Sequence, residues 1–195
     1  QSLLTSAATG QVIDPDNRLL WHFPLRRLEA EAVRDAMLAV SGKLNPKLGG
    51  TPVPIRPDDS GQIVVGVDTN DGAGRPTGKF VSLNGEEFRR SLYIQVRRSK
   101  PLAMLETFDL PQMDPNCDAR NASTGAPQSL ALMNGEFAVT QAKYFAERVV
   151  KEAGDAAEAQ VERAWRLAFA REATGAELQG ALAFLATQTE HFTRQ

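Results

Sequence analysis

Residues 136–185 read EFAVTQAKYFAERVVKEAGDAAEAQVERAWRLAFAREATGAELQGALAFL, and this stretch decides the fold class. Apolar side chains recur in it at steps of three and four residues, which is the spacing of one face of a helix. Gly154 interrupts the pattern, and Thr174 followed by Glu177 is a capping-box sequence that begins a new helix. The short connections predict that consecutive helices pack antiparallel over about 124–192. The predicted inward faces are Ala138, Ala142, Phe145 and Val149, then Val161, Ala164, Trp165, Ala168 and Phe169, then Leu178, Ala181, Leu182 and Leu185.

The part of the chain before these helices, about 14–110, begins with another amphipathic pattern. The predicted helix opens at Pro24 and ends at Gly42, a residue suited to the left-handed position after a helix. Arg27 and Glu31 lie four residues apart on its solvent side, where they can pair. Its predicted apolar positions are Leu25, Leu28, Ala32, Ala36, Met37 and Val40.

Proline and glycine recur through residues 43–90, so no helix continues there. Two β-type runs, 63–67 and 91–96, predict the strands of a small sheet that a long loop over 68–90 joins. A short helix is expected over 101–108. The sequence therefore predicts an α+β fold that is predominantly α-helical, with a C-terminal helical bundle, a small antiparallel sheet and long irregular loops.

Composition excludes several classes of function. The chain has 195 residues, enough for a single domain, and its abrupt polar start indicates a fragment of a larger protein. With 22 basic and 24 acidic residues it shows no basic footprint for nucleic acid. No apolar run is long enough to span a membrane. The chain has one cysteine, two histidines (His22 and His191) and no C-x-x-C-H motif. This set of potential ligands is too small for a metal site or a haem, so we expect no cofactor in this chain.

Polar chemistry concentrates in the irregular segment between Asp109 and Asn134. Cys117 is either a nucleophile or a small thiol in an ordered loop. Ser123 or Thr124 is expected to cap the next helix. Arg120 is expected to be buried and to pair with Asp109, since a buried guanidinium needs an acid or several carbonyl groups.

Two arginine pairs, Arg89-Arg90 and Arg97-Arg98, flank the run at 91–96. Because successive residues of a strand point to opposite faces, one arginine of each pair is expected to turn inward. Asp109 and Glu106 are candidate partners. The pairs are interpreted either as structural ion pairs or as a site for an anion or a sugar acid.

Several ordered strings resemble one family. They are Asp14-Pro-Asp-Asn-Arg18-Leu-Leu-Trp, Arg26-Arg-Leu-Glu-Ala-Glu-Ala-Val-Arg-Asp-Ala, Arg89-Arg-Ser-Leu-Tyr-Ile-Gln-Val-Arg-Arg-Ser99, Leu105-Glu-Thr-Phe-Asp109, and Cys117-x-x-Arg120-x-x-Ser123-Thr-x-Ala-Pro-Gln128-Ser-Leu-x-Leu-Met-Asn134. The chain resembles the planctomycete-type C-terminal domain of unknown function, which closes large exported proteins that carry a cytochrome-c-like domain upstream. The resemblance implies export to the periplasm or cell surface and haem on a different domain. It also implies upstream domains of the same polypeptide as partners, with polysaccharide or other exported proteins as further partners.

The resemblance does not imply an activity, and the roles of its matching residues stay open: Cys117, Arg120, Ser123, Gln128 and Asn134, next to Asp109. One hypothesis is a non-catalytic interaction module that packs on the upstream domains. A second is a hydrolase or carbohydrate-active domain with a cleft near residues 106–128, which needs two carboxylates at a defined separation. Its candidates are Glu106, Asp109, Asp114 and Asp118. A third is a docking surface for the cytochrome-c-like electron-transfer domain.

Overall fold

A computed structural model of the chain describes residues 14–20, 22–23, 26–75, 77, 81–111, 120 and 123–194. Helices dominate this part and are accompanied by one small antiparallel sheet, so the predicted fold class is confirmed. The helices are α1 (Ala30–Val40), α2 (Ala103–Thr107), α3 (Ala126–Asn134), α4 (Glu136–Ala153), α5 (Ala157–Phe169) and α6 (Gly175–Thr193). The strands are β1 (Ile55–Pro57) and β2 (Ile63–Val65), and single 3₁₀ turns lie at Glu86–Phe88 and Ser91–Tyr93.

Helix α1 differs from its prediction in both its start and its buried face. It begins at Ala30, after an extended Glu29, while Pro24 and Leu25 lie outside the described residues. The buried positions are Ala30, Arg34 and Leu38, and the predicted inward residues Ala32 and Ala36 are exposed. The prediction failed because it placed the buried face by apolar side chains alone, whereas Arg34 turns its guanidinium inward toward main-chain oxygens.

The sheet is a local hairpin. The predicted strand at 63–65 is confirmed, but its partner is β1, with Ile55 opposite Val65 and Pro57 opposite Ile63. The Asp58 carboxylate closes the connecting turn by accepting hydrogen bonds from the amides of Ser60 and Gln62, both at 2.9 Å. Such a short closure costs less chain entropy than joining two strands across the long 68–90 loop.

The run at 91–96 is therefore not the predicted strand. Its first three residues form a 3₁₀ turn, and Ile94 makes an isolated bridge with Val53. The amide of Gln95 donates to the carbonyl oxygen of Val53 at 2.8 Å, and the amide of Val53 donates to Tyr93 at 2.7 Å. The run thus borders the sheet region without lengthening the sheet.

The main core lies where α1, β1, Ile94 and α2 meet. Its buried members are Ala30, Val53, Ile55, Ile94, Leu102, Leu105 and Phe108. Helices α3 to α6 follow as a layer in which each packs on the next, and α4 also contacts α1. Of the predicted inward residues in this layer, Ala138, Val149 and Val161 are buried, whereas Ala142, Ala168 and Phe169 are exposed. None of the residues of α6 is buried, so the apolar content of that helix stays largely at the surface.

The C-terminal end of α1 is fastened to α4. Arg148 donates from Nη1 to the carbonyl oxygens of Ala39 at 3.1 Å and Val40 at 2.9 Å, in the last turn of the helix, and the oxygen of Ala39 also accepts from the amide of Gly42 at 3.1 Å. The buried hydroxyl of Ser41 donates to Oε1 of the buried Gln141 at 2.7 Å. These contacts connect the mixed first half of the chain to the helical layer.

Candidate functional site

The polar site is organised by Asp109, the second residue after α2. Its backbone is left-handed, with φ of +66°, a conformation that aspartate tolerates better than most residues. The carboxylate accepts hydrogen bonds from the amide of Ser123 at 2.7 Å and from its hydroxyl at 2.8 Å. It also accepts one from Nε2 of Gln128 at 3.3 Å. The carboxylate therefore joins the end of α2 to the start of α3.

Arg27 completes this group from a third segment. One of its terminal nitrogens donates to the carbonyl oxygen of Ser123 and to the hydroxyl of Thr124, and the other donates to Oε1 of Gln128. Gln128 is buried, and the same oxygen accepts from the amide of Gly125 at 3.3 Å. We call Arg27, Asp109, Ser123 and Gln128 the Asp109 cluster.

The start of α3 differs from its prediction because of this cluster. The residue before the helix is Gly125, so neither Ser123 nor Thr124 takes the expected capping position, and Oε1 of Gln128 accepts a hydrogen bond from the amide of Gly125. The hydroxyl of Ser123 instead donates to Asp109. Ser123 thus lies two residues before the helix-capping position, where its hydroxyl and its amide are bound by the Asp109 carboxylate.

The electrostatics of the cluster keep Asp109 ionised. The amide and hydroxyl of Ser123 lower the pKa of the Asp109 carboxyl, and the charge of Arg27 lowers it further. A general acid that works near neutral pH needs a raised pKa. Asp109 is therefore suited to accepting hydrogen bonds and not to delivering a proton.

Arg120 does not make the predicted pair. It donates to Glu31 at 2.8 and 3.2 Å and lies 3.2 Å from Glu29, and its side chain is 42% exposed. The expectation of a buried Arg120–Asp109 pair is therefore wrong. The Asp109 carboxylate already accepts hydrogen bonds from Ser123 and Gln128 and lies near the charge of Arg27. The two glutamates at the start of α1 are exposed or half-buried and are accessible to Arg120. The Arg120 guanidinium lowers the pKa of Glu31.

The remaining predicted site residues are not joined to this cluster by any described contact. Cys117 lies outside the described residues, as do Asp114 and Asp118. Asn134 is the last residue of α3, exposed and six residues from Gln128, which is about 9 Å along a helix.

Sequence reasoning missed the part played by Arg27. The sequence pattern placed Arg27 beside Glu31 on the solvent side of the helix. In the structure, Arg27 bonds to Gln128, which is 101 positions away, and Glu31 bonds to Arg120. No local pattern carries a signal for contacts across such separations.

The first of the flanking arginine pairs, Arg89-Arg90, forms structural ion pairs. Arg89 is fully buried and donates to the carboxylate of Glu86 at 3.1 Å and to the carbonyl oxygen of Thr51 at 3.1 Å. Arg90 lies 3.5 Å from Asp35. An inward arginine was predicted here, but the acids are Glu86 and Asp35 and not Glu106 or Asp109. Arg97 contacts Gln95 at 3.4 Å.

The family to which the chain belongs is shown by a match over nearly its whole length. A family model described as PSD1, protein of unknown function (DUF1553), matches residues 1–185. The chain belongs to the PSD1 family. No curated protein and no solved structure matches it. The PSD1 family is described as being of unknown function, so membership in it assigns no activity to this chain.

A small cavity lies away from the polar site of this PSD1-family chain. A cavity of about 90 Å³ lies beside β2, with Arg56, Val67, Leu83 and Glu87 in its lining. Ligand pockets usually enclose about 300–1,000 Å³, so this cavity is smaller than a typical ligand site. It lies apart from the Asp109 cluster, whose residues are absent from its lining.

The described part of this PSD1-family chain has neither a metal-binding cluster nor a membrane-spanning helix. Within the described ranges, no three His, Cys, Asp or Glu side chains converge in a way that could hold a metal ion. None of the described helices combines the length and apolarity needed to cross a bilayer.

Proposed function

We propose that this chain is a non-catalytic interaction module of an exported bacterial protein, and that it packs on the preceding domains of the same polypeptide. The observation that carries the proposal is the outward face of α3. Leu130 and Met133 lie on it, 57% and 72% exposed, together with the exposed Asn134. These three residues belong to the densest of the family-like motifs, although none of them contributes to the core.

The segment that leads into the domain supports the choice of partner. Between residues 19 and 28 it exposes Leu19, Leu20, Phe23 and Leu28. Arg27, next to Leu28, fastens this segment to Ser123 and Gln128 at the start of α3. This contact places the end of the leading segment beside the start of α3. Exposed apolar side chains at both places are the kind of surface that a domain interface buries.

The Asp109 cluster supports a structural role for the polar residues of the motif at this end of α3. Its charged and polar groups bond to one another and join three segments of the chain, and Asp109 is held in its ionised form. Such a cluster fixes the orientation of α3, and with it the face that we assign to the interface.

The proposal is tested by measuring binding between the purified chain and the separately expressed preceding part of its parent polypeptide. Met133→Glu is the test variant, and Leu92→Glu is its control, because both side chains are 72% exposed and Leu92 lies in the 3₁₀ turn at Ser91–Tyr93. We expect calorimetry to show binding that Met133→Glu weakens at least about tenfold, since a charge then enters an apolar contact. Leu92→Glu should leave the affinity unchanged.

Two results would overturn the proposal. One is the absence of binding between the unmodified parts, and the other is an equal loss in both variants. The export component is tested separately by fractionating the source bacterium, where we expect the parent protein outside the cytoplasmic fraction.

A further inference from the structure

The small cavity beside β2 is lined by an arginine whose charge has no acidic partner among the described residues. Arg56, in β1, is half-buried and makes one hydrogen bond in this part of the chain, from Nη1 to the carbonyl oxygen of Pro57 at 3.2 Å. The buried Arg89, by contrast, pairs with Glu86 at 3.1 Å. A guanidinium carries several N–H donors, so most of those of Arg56 can bind a ligand.

Gly66 sets the position of the Arg56 side chain. It follows β2, and its amide donates to the carbonyl oxygen of Pro54 at 2.9 Å, so it continues the pairing of the two strands. A Cβ atom at Gly66 would lie 2.8 Å from Nε of Arg56 and 3.1 Å from Cδ. A larger residue at this position would therefore displace the Arg56 side chain. Both residues line the cavity.

The rest of the described lining is mostly apolar. It consists of Val65, Val67, Val81 and Leu83, with Glu87 as its acidic member. The carboxylate of Glu87 accepts a hydrogen bond from the amide of Gly85 at 2.9 Å, and no described ion pair joins it to Arg56. The cavity thus combines an unpaired cation with short aliphatic side chains. This combination is complementary to a carboxylate that carries a short alkyl group.

The volume of the cavity limits its ligand to a few atoms. An apolar cavity of about 150 Å³ holds one molecule of benzene. In proportion, a cavity of about 90 Å³ holds about four non-hydrogen atoms, which is the size of acetate. The small volume that makes this cavity unsuitable for a larger metabolite therefore suits a short carboxylate.

We propose that this cavity binds a small aliphatic carboxylate, with the carboxylate on the Arg56 guanidinium and the alkyl group against the valines. A planar guanidinium offers parallel N–H groups that bind both carboxylate oxygens at once, which a lysine ammonium does not. The same chemical group occurs in free acetate and at the end of an aspartate side chain. The site lies apart from α3, so its ligand leaves the face of Leu130 and Met133 accessible.

An NMR titration of the 195-residue chain with sodium acetate tests the proposal. Acetamide is the control ligand, because it has nearly the same shape and no charge. We expect saturable shifts of the amide signals of Gly66 and Val67, with a dissociation constant of about 1–10 mM, since so few atoms provide little binding free energy. Acetamide should bind at least about tenfold more weakly, because it lacks the charge that strengthens hydrogen bonds to a guanidinium.

A second carboxylate ligand separates the two sources of the group. It is aspartate with both main-chain ends blocked, which presents the carboxylate as a protein side chain does. Tighter binding of acetate assigns the site to a free acid, and tighter binding of the blocked aspartate assigns it to a side chain of another protein.

Substitutions at the cavity should change the affinity for acetate in opposite directions. Arg56→Gln removes the cation and should weaken binding at least about tenfold, whereas Glu87→Gln removes a negative charge from the lining and should strengthen it. Arg98→Gln is the control for Arg56→Gln, because Arg98 is exposed and lies outside the described lining, and it should leave the affinity unchanged. Circular dichroism should show that all three variants are folded.

Several results would overturn the proposal. One is the absence of saturation up to about 100 mM acetate, a concentration that corresponds to negligible affinity. Others are equal binding of acetate and acetamide, equal effects of Arg56→Gln and Arg98→Gln, and weaker acetate binding in Glu87→Gln.

Discussion

Arg34 donates a hydrogen bond of 2.9 Å to the carbonyl oxygen of Arg89, so one buried arginine holds the main chain of another. Arg34 also donates to the carbonyl oxygen of Glu87 at 2.7 Å, and Arg89 donates to that of Thr51 at 3.1 Å. The Arg89 guanidinium lies 4.0 Å from the centre of the Tyr93 ring. In this irregular part of the chain, arginine side chains therefore satisfy carbonyl groups that a larger sheet would otherwise pair.

Replacing Arg34 with methionine should destabilise the fold strongly. The variant keeps much of the side-chain length but leaves the carbonyl oxygens of Arg89 and Glu87 without their donor in the interior. We expect a loss on the order of 3 kcal/mol in the free energy of unfolding, measured by urea denaturation. Arg98→Met is the control, since Arg98 is exposed and should change stability little. Equal stability of the two variants would contradict a structural role for Arg34.

Asp109→Asn should lower the melting temperature in a pH-dependent way. Folding lowers the pKa of Asp109, so its ionised form stabilises the native state at pH values above the ordinary aspartate pKa of about 3.9. That contribution is lost as the pH falls through the lowered pKa. The difference between the wild type and Asp109→Asn should therefore be largest near pH 7 and shrink below about pH 4. Asparagine also tolerates the left-handed backbone, so the variant removes the charge and one acceptor oxygen without straining the chain. A difference that stays constant with pH would argue against this account.

Arg120→Ala should have a small effect on stability. Its pair with Glu31 is partly exposed, and such pairs contribute about 0.2–1 kcal/mol, against about 3–5 kcal/mol for breaking a buried pair. Loss of the guanidinium should also raise the pKa of Glu31 toward its ordinary value, because Arg120 is the main cause of its lowering. An NMR titration of the side-chain carboxyl carbons measures this shift. An unchanged pKa of Glu31 would mean that the pair does not form in solution.

Short-range features were predictable from the sequence. Thr174 and Glu177 form the predicted capping box, with the amide of Thr174 donating to Glu177 at 2.9 Å. Gly42 and Gly154 end their helices with left-handed φ values of +77° and +74°. In each case the decisive interaction spans a few residues, so the local pattern contains all the information that it needs.

The contacts that build the Asp109 cluster were not predictable in the same way. The segment of Arg27 and the start of α3 are about a hundred positions apart, and which acid meets which base depends on how the whole chain packs. The burial of Arg34 was not predictable either. A hydrophobic pattern counts every arginine as a polar residue and contains no information about the buried groups to which it bonds. A single sequence therefore located the polar segment 109–128 but exchanged the partners of Arg120 and Asp109.

Gly42→Ala should destabilise the fold more than the same change at Gly74. The two glycines have nearly identical φ values, +77° and +78°, so alanine meets a similar backbone strain of about 1–2 kcal/mol at both. A Cβ at Gly42 would also lie 3.2 Å from Cδ of Arg148, whereas Gly74 has nothing within 4 Å. The additional loss at Gly42, measured by urea denaturation, reports on the contact between Arg148 and the end of α1. Equal losses of stability at both sites would show that the Arg148 side chain moves aside for the new Cβ without lowering the free energy of unfolding.

Helix α6 packs mainly on α5. The free energy of local unfolding should therefore be lower for α6 than for α4. Unfolding α6 breaks one helix interface, whereas unfolding α4 also breaks the bonds of Arg148 and Gln141 to the end of α1. In dilute solution, the amide hydrogens of α6 should therefore exchange with solvent through brief local unfolding, and those of α4 only through openings that disturb the main core. The last helix can detach and return many times during the lifetime of a single folded core.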